Sequence, residues 1–185
     1  MRRPDPDLIV DQSITCVLDV SGFASEAEKI RFLLAFAERL FRRKDESQEP
    51  THVFFEEADD YIPQRAFPEQ QRLVHCMARL LKQGGSRGLG GTIISQRSAV
   101  VHKDVLSQVQ TLFALRTTSS QDRKAVEAWV SYSGENPKLV EDLPGLADGE
   151  AWVWSPNWLR TTKRIHFRRR ETYDSGSTPK AGVSA

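Results

Sequence analysis

Cysteine is scarce in this chain: Cys16 and Cys76 are the only two in 185 residues. They lie far apart in apolar surroundings and read as buried free thiols, not as a disulfide framework. The four histidines, His52, His75, His102 and His166, show no metal-ligand spacing with one another or with the cysteines, which excludes a zinc site of familiar pattern. No apolar run approaches the length of a membrane span, and the N-terminus has no apolar signal region. A cytoplasmic protein without a membrane partner is therefore expected. Charge of one sign is also lacking. The net charge is +1, so any argument about nucleic acid must rest on where charges lie. No Gly-Lys-Ser/Thr occurs anywhere, so a phosphate loop of that type is absent. What remains, 39% hydrophobic and 28% charged residues, suits one globular domain with a real core.

The most informative stretch is His52-Val53-Phe54-Phe55-Glu56-Glu57-Ala58-Asp59-Asp60. An apolar run of strand length ends in adjacent carboxylates. Such a strand is buried, while its charged end must reach solvent, a metal or a partner. Acids at that place suit Mg²⁺-nucleotide chemistry, one holding the metal and the next orienting water. A strand running into a solvated acidic turn is the plain alternative.

Taken in order, residues 1–13 carry Pro4, Pro6 and several charges and suggest an irregular lead-in. Thr15-Cys16-Val17-Leu18-Asp19-Val20 reads as a buried strand. Ser25-x-x-Glu28 is a capping box before an amphipathic helix whose apolar face includes Ile30, Leu33, Leu34, Ala37, Leu40 and Phe41. Pro68 suits the first turn of another helix, lined by Leu73, Met77, Leu80 and Leu81 and ended by Gly84-Gly85. The five glycines of 84–91 precede a strand, not a helix, and read as a flexible loop. Gly91 to Gln96 and Thr111 to Arg116 are further strands, with a short helix over Asp104 to Gln110 between them. Ser119-x-x-Asp122 starts a helix to about Val130. Pro137 to Asp148 reads as a loop. Ala151 to Trp154 and Arg164 to Arg168 form an antiparallel pair. Arg160 to Arg170 holds six basic residues and no acid. Residues 172–185 read as a disordered tail.

Strands alternating with helices imply βαβ units and a mainly parallel sheet, whose ligands bind beyond the carboxyl ends of the strands. Four strand ends become polar there: Asp19/Ser21, Glu56/Glu57, Ser95/Gln96 and Arg116/Thr117. Carboxylates, an amide and a guanidinium together match the polar half of a nucleoside-triphosphate site.

These residues resemble the HerA/FtsK superfamily. Val53-Phe54-Phe55-Glu56-Glu57-Ala58-Asp59 resembles a Walker B strand, and Gly91-Thr92-Ile93-Ile94-Ser95-Gln96-Arg97-Ser98 resembles the isoleucine-serine-glutamine-arginine strand of that family. Leu18 to Gly22, Val105 to Thr111, Leu115-Arg116 with Asp122, and Leu143-Pro144 with Gly149-Glu150-Ala151 continue the pattern. The resemblance runs from about residue 14 to 168. It implies an α/β fold: residues 14–133 as the C-terminal part of a RecA-like ATPase core, and 134–171 as a C-terminal loop and β-hairpin. It implies ATP and Mg²⁺ as cofactors. DNA, sister subunits of a homo-hexamer and a partner nuclease are the implied partners. By resemblance Glu57 is the water-activating acid, Glu56 the Mg²⁺-side acid, and Gln96 the γ-phosphate sensor. Ser95 and Arg97 adjoin the nucleotide, and Arg116, Arg97 or Arg87 acts on the nucleotide of an adjacent subunit.

Two departures are evident. The family's metal-side acid is normally Asp, and Glu56 is one methylene longer. The phosphate loop, which lies N-terminal to these motifs in the family, is absent. The chain is thus expected to be the C-terminal half of a HerA-like ATPase (a fragment, a truncated gene or half of a split protein), with no significant ATP hydrolysis alone. Two alternatives carry different chemistry. One is a non-catalytic module binding DNA or sister subunits through Arg160 to Arg170. The other is a different Mg²⁺ enzyme built on Glu56, Glu57, Asp59, Asp60 and Asp19.

Overall fold

In the computed structural model, which describes residues 5–131 and 137–172, the N-terminal part of the chain is arranged around a long amphipathic helix. This helix is α2 (Glu26–Glu46), and α1 (Pro6–Gln12) precedes it. α2 begins where the capping pattern places it: Ser25 Oγ accepts from the Glu28 N–H at 3.3 Å. It turns Leu33, Ala37, Leu40 and Phe41 into the core. α1 corrects the expectation of an irregular lead-in. Asp5 accepts from the Asp7 N–H at 3.1 Å as N-cap, and Pro6 sits in the first turn, where its missing N–H costs nothing. Arg39 pairs with Asp7, and Arg43 with Asp11, tying α1 to α2.

β1 (Thr51–Phe55) and β2 (Leu89–Ile93) pair in parallel, with Thr51 opposite Leu89 and Phe55 opposite Ile93. The crossover is α3 (Pro68–Gln83). Its Leu73, Met77 and Leu80 meet α2 and the inner face of β1, Val53 and Phe55, to form one hydrophobic core. The glycine-rich stretch is more ordered than the expected flexible loop. It forms a single 3-10 turn at Gly85–Arg87, then enters β2. Gly88 has φ of +68°, and a Cβ on Gly91 would lie 2.3 Å from Leu81 Cδ2, so glycine lets β2 approach α3 closely.

Residues 15–20 do not form the expected strand. Val17 is 91% exposed, and Cys16 is exposed instead of buried, while free Cys76 is half-buried. A strand needs a neighbouring edge for its backbone groups, and this run has none. Asp19 instead closes a local turn, accepting from the Ser21 N–H at 2.9 Å and the Ser21 hydroxyl at 2.7 Å.

The second core follows. α4 (Lys103–Leu106) leads to β3 (Leu112–Ala114) and α5 (Ser120–Val130), capped by Ser119. Next come α6 (Pro137–Asp142), β4 (Glu150–Ser155) and β5 (Thr161–His166). α6 lies inside the stretch expected to be a loop. β3, β4 and β5 form an antiparallel sheet in that order, and β4–β5 is the expected C-terminal hairpin. Among the described strands parallel pairing is thus confined to β1 and β2. Ala114, Val126, Val130, Leu139, Leu143 and Trp154 pack together beneath β3 and β4. The two cores are joined by Asp122, which accepts from the Ala99 N–H at 2.9 Å, and by Trp129 Nε1, which donates to the Leu106 carbonyl at 2.7 Å. Among the described strands β2 pairs only with β1, and β3 only with β4. Apart from residue 172, the expected tail lies outside the described residues.

Candidate active site

The carboxyl ends of β1 and β2 are locked together beyond their last paired residues. The Ile94 N–H donates to the Phe55 carbonyl at 2.9 Å, and the Ala58 N–H donates to the Ile94 carbonyl at 2.9 Å. Ala58 is fully buried. Between these two bonds Glu56 and Glu57 are pushed outward, and Glu57 takes φ 50 and ψ 50 in the left-handed region. Its carboxylate Oε1 accepts from Gln96 Nε2 at 2.8 Å. An acid from one strand end thus meets an amide from the next.

A second contact stands behind the first. Ser95 Oγ donates to Asp59 Oδ1 at 2.7 Å and accepts from the Arg97 N–H at 3.0 Å. Asp59 is 9% exposed, and the Arg97 guanidinium lies 4.0 Å from its other oxygen. Gln96 is therefore flanked by two residues that Asp59 restrains. Sequence reasoning placed Asp59 in the acidic run but gave it no part in the nucleotide site. Its position two residues past Glu57, at the start of a 3-10 turn, is the signal that it turns inward.

Glu56 is exposed at the same strand end. Among the described residues, no group of three or more Asp, Glu, His or Cys side chains converges as a metal site. Such a site fits Mg²⁺ only in the manner usual for nucleotide enzymes, where one or two carboxylates act with the phosphates and waters.

The arginines separate clearly. Arg97 is at the site. Arg116, at the end of β3, pairs with Asp148 at 3.1 Å, and among the described residues no hydrogen bond or ion pair joins it to Glu57 or Gln96. Arg87 pairs with Asp45, donates to the Gln83 carbonyl at 2.9 Å and lies over the Phe41 ring. Its side chain is thus engaged within the fold's own packing.

No protein-family model matches the chain. Over 104 residues it is 33% identical to the probable DNA double-strand break repair helicase HerA of Methanocaldococcus jannaschii, covering 56% of this chain and 20% of that protein. Over this stretch the chain is similar to HerA helicases. Identity to the DNA double-strand break repair helicase HerA of Pyrococcus furiosus is also 33%, over 105 residues, with 56% of this chain and 18% of that protein covered. The chain spans about a fifth of the length of these relatives. Its fold matches the genome packaging NTPase B204 of Sulfolobus turreted icosahedral virus 2. In complex with AMP, that protein aligns at TM-score 0.61 and 15% identity over 90% of this chain and 73% of that one. In complex with sulfate, the values are 0.63, 15%, 91% and 74%. None of the described helices is long and apolar enough to cross a membrane.

Proposed function

We propose that this chain is the Walker B-bearing part of a HerA-like ATP-dependent DNA translocase or helicase, acting as one subunit of a hexamer. The contact between Glu57 and Gln96 carries the reading, since it joins an acid to an amide at the carboxyl ends of adjacent parallel strands. Glu57 would orient the attacking water. Gln96 would sense the γ-phosphate, and Glu56 would hold Mg²⁺ through the nucleotide's phosphates. Arg97, or Arg116 on its own exposed edge, would serve the nucleotide of an adjacent subunit. The phosphate-binding lysine must come from another segment or chain. The edges of β2 and β3 that are unpaired among the described residues leave a place where such a strand would be accepted.

Fusion of a HerA-type phosphate-loop unit upstream of Met1 tests this. The fusion is expected to hydrolyse Mg²⁺-ATP with stimulation by DNA, and Glu57→Gln to lower turnover by about a hundredfold or more. Equal turnover in Glu57→Gln would refute the assignment. The chain alone is expected to show no significant turnover.

The exposed outer edge of β5 favours a second reading, a DNA- or subunit-binding module. Part of the basic charge there is already engaged. Arg164 donates to Glu150 at 2.5 Å, and Arg168 pairs with Glu171. The Ala147 N–H and Arg164 together hold the Glu150 carboxyl below its usual range. Neutralising Arg168, Arg169 and Arg170 is expected to weaken salt-dependent DNA binding and to flatten its salt slope. Unchanged binding would remove β5 and its flank from the interface.

A further inference from the structure

We propose that the cavity between α3 and the segment around Arg65 is a second binding site, for a phosphate monoester carried on a small apolar body. The cavity measures about 720 Å³, within the range of roughly 300–1,000 Å³ typical of small-molecule sites. It is independent of the nucleotide chemistry proposed at Glu57.

One wall is the polar face of α3, where His75, Arg79 and Lys82 succeed one another at helical spacing. The opposite wall is built. Pro63 forms an antiparallel bridge with Val101, the His102 N–H donates to the Ile62 carbonyl at 2.8 Å, and the Gln64 N–H donates to the Val100 carbonyl at 2.6 Å. Gln64 Oε1 also accepts from the Lys103 N–H at 2.8 Å. These bonds fix the segment that carries Arg65.

The charge in the cavity does not balance. Arg65, Arg79 and Lys82 line it against one carboxylate, Asp104, which Lys82 approaches at 3.5 Å. Two guanidiniums are left without a carboxylate in the cavity. Arg79 is held by stacking, 3.9 Å from the centroid of the Phe41 ring, and Arg65 makes no hydrogen bond or ion pair among the described residues. A dianion matches two such cations, whereas a carboxylate would leave one uncompensated. The planar fork of arginine also suits phosphate oxygens. His102 also lines the cavity, and its Nδ1 is buried with no hydrogen-bond partner among the described residues. Pro63, Ala66, Val74 and Ala78 supply the apolar surface against which the body of the ester would lie.

Isothermal titration of phenyl phosphate and of inorganic phosphate into the full chain tests the proposal without using a nucleotide. Phenyl phosphate is expected to bind at least about tenfold more tightly than inorganic phosphate, because only it covers the apolar wall. Arg65→Ala should weaken it by about tenfold, the loss of a charge-assisted hydrogen bond. Lys82→Ala should also weaken it, by releasing Asp104 as a competing anion. Circular dichroism confirms that each variant is folded. Glu57→Gln should bind phenyl phosphate as the parent does, so failure here and failure of the nucleotide reading are told apart. The proposal is overturned by no detectable binding at millimolar ligand, by undiminished binding in both cavity variants, or by equal loss in Glu57→Gln. Much tighter, steeply salt-dependent binding of a short oligothymidylate, abolished by Arg65→Ala, would overturn it in favour of a nucleic-acid backbone.

Discussion

Asp59 and Ser95 stand 36 residues apart in the chain, yet their side chains meet at 2.7 Å, with Asp59 buried and Ser95 half-buried. A buried hydrogen bond to a charged acceptor costs little to keep and much to break, because the partner left behind is unsatisfied. Asp59→Ala is expected to lower stability by about 1–3 kcal/mol. Asp59→Asn retains an acceptor for Ser95 and should cost clearly less. Urea denaturation of both, with Ser95→Ala and the double variant, measures the coupling; additive losses would show that the contact has no energetic weight. At this scale the sequence was partly legible. Adjacent glutamates at a strand end marked the place, and Gln96 was legible as the polar end of another strand. Which acid turns inward was hidden, because the strand period stops at Phe55 and a left-handed residue followed by a 3-10 turn resets the direction of each side chain.

Helices with their own caps were the most legible elements. Ser25, Pro68 and Ser119 each mark a start by local chemistry that needs no distant partner. Asp5-Pro6 carries the same signal, obscured in the sequence by Pro4 and the surrounding charges. Strands were less legible, since pairing depends on an edge supplied from elsewhere. Residues 15–20 have strand composition but no such edge, and they stay outside any ladder. The same dependence leaves apolar side chains in water. Phe54 is 67% exposed on β1, and Ile94, Phe113 and Leu115 are exposed near the unpaired edges. Exposed apolar clusters of this kind favour association. The chain is expected to self-associate with rising concentration in sedimentation velocity. Phe54→Lys with Phe113→Lys should suppress this while shifting the unfolding free energy by no more than about 0.5 kcal/mol, as for other surface changes. Persistent association in the double variant would place the contact elsewhere.

Across the whole molecule two cores are built from consecutive halves of the chain. Among the described residues, polar links between them include the Asp122 carboxylate, which accepts from the Ala99 N–H and the Ser98 hydroxyl, and the Trp129 indole. Trp129→Phe keeps most of the ring packing and removes the bond to Leu106. It is expected to separate thermal unfolding into two partly resolved transitions in calorimetry; a single unchanged transition would show that apolar contact alone couples the halves. The α/β class and the C-terminal hairpin were legible from strand–helix alternation and from turn signals. The division into a parallel pair and a separate antiparallel sheet was not, because which strands become neighbours is a property of the assembled layers and not of any segment.

The left-handed backbone at Glu57 bears on how this chain could change over generations. A residue with a Cβ pays about 1–2 kcal/mol to sit there, while glycine gives back part of that through its freer unfolded state. Drift at this position therefore runs downhill toward glycine or asparagine unless the carboxylate is needed. A lineage that had abandoned nucleotide chemistry would lose the acid early and become slightly more stable, so the residue at 57 in close kin is a record of whether the site is still under selection.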